Sequence, residues 1–448
     1  MSALSAFVTL LTIFAAGFGA SSLFLKREAP VSLIEVVPLS WLLGTAFVSL
    51  SLACLGIVFS GFVLQAIVTA GCIWLGWPGL KAWRTKQWPI SIPKPAGMLE
   101  WALCLILLAE FIAVLWFQCR ESLGWDGLLV WEIKARYAFL HGGVVPKLYF
   151  SDDTRNWSHP DYPLFLPLVE TWLYLWMGDC DQSWVRVIFP VFYAAAMLLL
   201  CAGAFRLTGK RWAGLAAAAA LFFLPGQWNF LDGFVDFPLA VFYLAAVIYL
   251  LRYFREGESR GHLALFSLLA GVLPWVKREG IILWLCLMVI AVPVFLWKRQ
   301  LRKALVVPLP GVAVAVGWKV AMMILKTPQG GDFLPFSFGT VYGNLNRVGP
   351  ILTALGHDLM ETGAWSLLWY AFVVALAWLL CKSRRQPAVL LFLSVVLPLA
   401  IDSCVYLLSS WSSYEDHIRT SLPRLIMEVS LPALLTVVMA AADETDGV

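Results

Sequence analysis

Residues 98–143, MLEWALCLILLAEFIAVLWFQCRESLGWDGLLVWEIKARYAFLHGG, set out the plan of the chain. From 98 to 118 apolar side chains follow one another with Glu100 and Glu110 as the only acids. A hydrocarbon core about 30 Å thick needs roughly 20 such residues in a helix, so this run reads as a membrane span. The chain then turns polar and presents Asp126 directly after Trp125, just beyond the end of the run. The rest of the sequence repeats the first half of this pattern. Over 448 residues 61% are apolar and 13% charged, and mean hydropathy is +0.81. A soluble domain is about 45–50% apolar and about 25% charged. These values exclude a soluble enzyme, a nucleic-acid binder and a disordered chain.

Thirteen apolar segments can be read, at about 3–25, 36–59, 61–80, 98–118, 185–205, 212–230, 234–251, 263–276, 280–297, 304–325, 364–381, 388–407 and 423–441. The expected fold is therefore an all-α polytopic membrane protein with about thirteen transmembrane helices. The first segment runs into Lys26 and Arg27 without a small-residue cleavage site, and it reads as a retained helix. Residues 162–178, YPLFLPLVETWLYLWMG, are apolar but carry Pro163, Pro167 and Glu170. They read as a helix lying in the outer interface. The basic, proline-rich loop 81–97 divides the chain into a three-helix N-terminal extension, 1–97, and a core, 98–448. The core carries outer loops at 119–184, 326–363 and 408–422.

Sidedness follows from charge. Short loops rich in Lys and Arg stay cytoplasmic. Six basic groups, beginning at Lys26, Lys81, Arg206, Arg252, Lys298 and Lys382, fall on one side if the N-terminus is outside and every segment crosses. The C-terminus is then cytoplasmic and a bacterial inner membrane is the expected location. Of 28 acids only Glu28, Glu35, Glu100, Glu256, Glu258, Asp443, Glu444 and Asp446 fall at the basic side. Acids contribute little to orientation, so their skew toward the outer side points to an outward-facing site. The nine cysteines lie mostly within apolar runs and read as small apolar residues; Cys119 and Cys180 alone share a predicted surface.

Several outer groups can carry chemistry. Asp126, flanked by Trp125 and Trp131, reads as a general base or as the N-cap of a helix beginning at Gly127. Lys134 lies on that helix. His159, Asp161 and Tyr162 surround Pro160 and read as a hydrogen-bonded turn at the pocket floor, or as metal ligands with Asp152 or Asp153. Asp236, with Asp232 nearby, heads an apolar run, where a charge is paired, caps the helix, or faces a wet cavity. Lys277, Arg278 and Glu279 form an outer turn between short helices. With Arg419 and Arg424 before the last span they suit an anionic ligand, or salt bridges to the outer acids. Lys319 and Asp402 lie within spans, paired or lining a cavity. Most of the 23 tryptophans read as interfacial anchors.

The order of these motifs resembles the GT-C superfamily, integral-membrane glycosyltransferases that use polyprenyl-phosphate sugars. A span is followed by a loop opening with an acid (GWDGLLVWEIKARYAFLHGG), then YPLFLPLVETWLY, an acid heading a span in DFPLA, the Lys-containing turn VKREG, and the late IRTSLPRL. The branch it looks most like holds the protein O-mannosyltransferases and the lipid A aminoarabinose transferases, and the resemblance covers roughly 98–430. It implies a large extracytoplasmic first-core loop with interfacial helices. It also implies Asp126 as the catalytic base, and donor-phosphate contacts from Lys277, Arg278, Arg419 and Arg424. Relatives carry Asp-Glu where this chain has Asp126-Gly127. The implied partners are a polyprenyl-phosphate-linked sugar, a lipid, glycan or protein acceptor, and the bilayer, with no nucleic acid. Transfer would be a single inverting displacement. No cofactor is called for, and the outer acids leave a divalent metal open. A transporter or lipid flippase with an outward-facing anionic-substrate site is the main alternative, although no inverted repeat is visible. A transferase using a diphosphate-linked donor and a non-catalytic assembly subunit are further ones.

Overall fold

Backbone amides and carbonyls in lipid have to be satisfied within the segment that carries them, which selects helices for every long apolar run here. The computed structural model describes residues 2–26, 31–91, 94–228, 231–328, 330–381 and 385–444. Arg27, Glu28, Lys382 and Asp446, named above, lie outside the described residues. Among the described residues, ten helices are long and apolar enough to cross a membrane. The three other expected spans form shorter apolar helices, Arg211–Phe223, Arg260–Val276 and Leu368–Cys381.

In chain order the main helices are α1 (Ser2–Leu25), α2 (Leu33–Leu55), α3 (Gly61–Arg84), α4 (Met98–Arg120), α5 (Ile133–Leu140), α6 (Phe165–Met177), α7 (Ile188–Thr208), α8 (Arg211–Ala220) and α9 (Asp236–Arg255). They continue with α10 (Arg260–Val276), α11 (Gly280–Trp297), α12 (Leu309–Leu325), α13 (Val348–Leu359), α14 (Leu368–Cys381), α15 (Arg385–Val405) and α16 (Tyr414–Glu444). Among the described residues, regular strand is confined to a parallel pair, β1 (Val31–Ser32) and β2 (Ile90–Ser91), joined in register Val31 to Ile90.

Two helices form the centre. The apolar window of α9 is 94% buried and that of α16 is 89% buried, and the two pack together. Around them stand α7, α8, α10, α14 and α15. At the edge, α4 has only 11% of its window buried and touches α7 and α8, so most of its surface is left to lipid. The first three helices pack on one another, and α1 and α2 also clasp α6, while α2 packs on α7.

The 162–178 segment is a helix and too short to cross: α6 has 13 residues, about 20 Å at 1.5 Å each. Its environment corrects the expectation. From Phe165 to Tyr174 every residue is buried, covered by α1, α2 and α5, so α6 is enclosed by protein where an interfacial position would have left it half in lipid. Trp172 donates to the Thr12 hydroxyl at 3.1 Å, tying α6 to α1. Cys119 and Cys180 are both free thiols.

Candidate active site at one end of the helices

Asp126 closes the approach from α4 and opens one turn of π-helix, Gly127–Glu132, before α5. Such turns recur where a site interrupts a helix. The carboxylate makes no capping bond, which removes the N-cap reading; it meets Arg424 Nη1 at 2.8 Å. Gly127 follows for a steric reason. A Cβ there would lie 2.8 Å from the Asp232 carbonyl oxygen and 2.9 Å from Gly233 Cα. Gly233 itself has φ +112°, a backbone conformation natural only to glycine. This glycine contact seats the first loop against the turn before α9 and puts Asp232 beside Asp126. Burial, with the Asp126 charge adding to it, pushes the Asp232 carboxyl up to about 6.

Asp236 is the first residue of α9 and fully buried, and it is held as an ion pair with no capping role. Arg424 forks onto it from α16, Nε to Oδ1 at 3.0 Å and Nη2 to Oδ2 at 3.1 Å. One guanidinium thus joins Asp126 and Asp236. Lys277 reaches the same Asp236 at 2.7 Å, Glu428 at 3.2 Å and Glu279 at 3.4 Å. The α10–α11 turn that carries Lys277 is tight; a Cβ on Gly280 would sit 2.0 Å from the Leu273 carbonyl oxygen. Burial opposes charge on Lys277, but the surrounding carboxylates outweigh it and hold the ammonium above its usual range. Burial likewise pushes Glu279 up, and Lys277 and Arg278 more than reverse it, so its carboxyl lies below the usual range.

Arg278 points the other way, over the rings of Tyr162 and Phe333 at 5.1 and 5.2 Å, with Asp161 at 3.5 Å and Asp332 at 3.9 Å. His159 stacks on Tyr162 with ring centres 4.5 Å apart. His159 has φ +48°, and its carbonyl oxygen accepts from Tyr162 N at 3.0 Å and from Lys134 Nζ at 2.7 Å. Lys134 is fully buried behind Trp131, and burial pulls its ammonium down to about 7 against the attraction of Asp161. It fixes the 159–162 turn from beneath. Burial also lowers His159, only partly offset by Asp332 and Asp161.

These groups border a cavity of about 560 Å³. Of the residues singled out from sequence, Trp125, Asp126, His159, Tyr162, Lys277, Arg278, Glu279 and Arg424 line it. Asp236, Asp161, Trp131 and Lys134 stand behind the lining. Arg419 is placed elsewhere: its side chain is 79% exposed and pairs with Asp416 at 2.9 Å. Asp402, expected to be paired or to line a cavity, lines this one, whereas Lys319 is exposed on α12. Asp332, Phe333, Tyr406 and Trp411 were missed. Phe333 is bridged to Ser409, and Trp411 donates to Asp332 at 3.2 Å while stacking on His417. Two distant loops thereby close one wall, a pairing without a local sequence signal. Glu428 had a signal: it stands one helical turn beyond Arg424, an acid inside an apolar run. Among the described residues no His, Cys, Asp and Glu side chains are grouped as a metal ion would require.

Chemically the cavity offers a carboxylate beside a guanidinium, a second guanidinium sandwiched between rings, and a polar aromatic wall. Fold and site together define a multi-pass, all-α integral membrane protein with an acid- and arginine-lined cavity at one end of its helices. No protein-family model and no curated protein matches the chain. Two solved structures are similar to it. ArnT from Cupriavidus metallidurans in the apo state is 18% identical, with a TM-score of 0.48 over 77% of this chain and 60% of that one. ArnT from the same organism bound to undecaprenyl phosphate is 17% identical, with a TM-score of 0.48 over 78% and 61%. This chain therefore spans about 60% of the length of the solved structures it matches.

Proposed function

We propose that this protein is a glycosyltransferase that moves a sugar from a polyprenyl-phosphate donor to an acceptor hydroxyl in the 560 Å³ cavity, on the extracytoplasmic face. The observation that carries the reading is the 2.8 Å pair of Asp126 and Arg424 on the wall of a cavity that also holds Lys277 and Arg278. Base and phosphate-binding groups come from elements remote in sequence and meet in one space.

Asp126 takes the proton of the acceptor hydroxyl as its oxygen bonds to the anomeric carbon. The bond from that carbon to the donor phosphate breaks, and its electron pair leaves on the lipid phosphate. Attack from the opposite face inverts the centre. Arg424 and Arg278 meet the growing phosphate charge, so no separate general acid is needed. Lys277 already has three carboxylate partners, and its part is to hold Asp236, and through it Arg424, in place. A phosphate that draws Arg424 toward itself loosens the ion pair on Asp126 and frees that carboxylate for the acceptor. Donor binding thereby prepares the base.

The transporter reading makes a different prediction. Purified protein in proteoliposomes, given polyprenyl phosphate carrying a radiolabelled sugar and a lipid extract as acceptor, should move label from the donor to a new product. Label that crosses the bilayer still attached to its original lipid would overturn the transferase reading.

A further inference from the structure

A second cavity, of about 380 Å³, lies at the opposite end of the helices among α2, α4, α7, α8 and β2. The two ends are linked by α9, which begins at Asp236 and reaches Arg252 roughly 24 Å away at about 1.5 Å per residue. At this far end the Glu35 carboxylate accepts from Tyr249 at 2.8 Å, from Arg206 at 3.2 Å and from Arg252. Arg252 also holds Glu256 at 2.9 and 3.0 Å. Glu35 is 2% exposed and occupied by these partners, whereas Arg206 faces the cavity from its edge. Across the opening Arg211 pairs with Glu100 at 3.3 Å and donates to the Lys94 carbonyl, and Lys94 is exposed on the rim. Three cations and two acids thus face one space. Ser32 and Ser91 also line it, and the rest of the wall is apolar, Ile34, Cys104, Phe205 and Leu215 among it.

A cationic rim above an apolar wall is complementary to an amphiphile with an anionic head. The surroundings supply one. α4 forms a side of this cavity and has only 11% of its window buried, so bilayer lipid borders the opening directly. Lys81 and Arg84 end α3 and Lys86 follows it in the same basic stretch of sequence as Lys94, and juxtamembrane basic segments concentrate anionic lipids around them. We propose that this cavity binds one anionic phospholipid. Its phosphate lies between Arg206, Arg211 and Lys94, and an acyl chain runs along Ile34, Cys104, Phe205 and Leu215. The seated lipid bridges α4 to α7 and α8 and braces the far end of the bundle. The inference does not depend on the reaction proposed above.

The test uses the full chain in a neutral detergent, titrated with dioleoyl phosphatidylglycerol, dioleoyl phosphatidylcholine or soluble glycerol 3-phosphate. Thermal unfolding and native mass spectrometry are the readouts. Phosphatidylglycerol should raise Tm by several degrees and be retained as a single equivalent, with little effect from phosphatidylcholine and none from glycerol phosphate. Lys94→Gln with Arg211→Gln should weaken that response about tenfold, roughly 1.4 kcal/mol. Leu215→Trp, which fills the cavity and keeps every charge, should abolish it. Lys81→Gln with Lys86→Gln, outside the cavity, should leave it intact. Equal stabilisation by phosphatidylcholine or by glycerol phosphate would overturn the proposal. So would a phosphatidylglycerol response untouched by Leu215→Trp, or one lost in Lys81→Gln with Lys86→Gln.

Discussion

Lys134 is a fully buried lysine whose ammonium is pulled down to about 7 by burial, with Asp161 pulling against it. In the unfolded chain the same group titrates near 10.4. Between those two values the unfolded chain binds more protons, so the group's contribution to stability rises with pH across this window and is flat below it. Thermal unfolding of wild type and Lys134→Met in detergent should show the Tm of the variant minus that of wild type falling steadily from pH 7 to pH 10, whatever the offset from losing the bond to the His159 carbonyl; parallel curves would refute the assignment. At this scale the chain was legible where charge sits at the end of an apolar run. Asp126, Lys277, Arg278 and Arg424 stand out for that reason. Arg419 does not join them because five residues at about 100° each turn it well away from Arg424, whereas Thr420, Ser421 and Leu425 share the Arg424 face. Gly127, read at first as a missing acid, is where two backbones meet too closely for a side chain.

The helix α6 shows what packing adds to pattern. Its prolines and its glutamate marked it as unable to span, but composition could not say whether lipid or protein would cover it. Protein does, and Glu170 is fully buried there, with neither carboxyl oxygen hydrogen-bonded among the described residues. Burial first, and then the nearby Glu132 charge, push its carboxyl well above the usual range. An unsatisfied buried polar group of this kind costs on the order of 1–3 kcal/mol. Glu170→Leu should therefore raise Tm and leave transfer activity intact. A marked fall in Tm would mean that the carboxyl has a structural partner. Asp332, Trp411 and His417 belong to the same lesson. Their contacts join 330–333 to 408–417, and no periodicity within either loop announces the other.

Among the described residues the main ion pairs gather at two ends. Asp126, Asp236, Lys277 and Arg424 gather at one, and Glu35, Glu100, Arg206, Arg211 and Arg252 at the other. This is the division that basic loops and acid skew implied, because charge cannot remain in the hydrocarbon between them. On the proposed orientation, which follows the positive-inside bias, the Arg-rich end is cytoplasmic. In a cysteine-free background, a membrane-impermeant maleimide added to intact cells should label Ser413→Cys and spare Lys86→Cys until the membrane is opened. The reverse pattern would put the cavity on the cytoplasmic side. The account rests on Asp126 acting as a base in a cavity shared with cations, and transfer of labelled sugar from polyprenyl phosphate by purified Asp126→Asn protein tests this most directly. Transfer should fall by about a hundredfold or more with folding and donor retention preserved, whereas undiminished transfer would contradict the account.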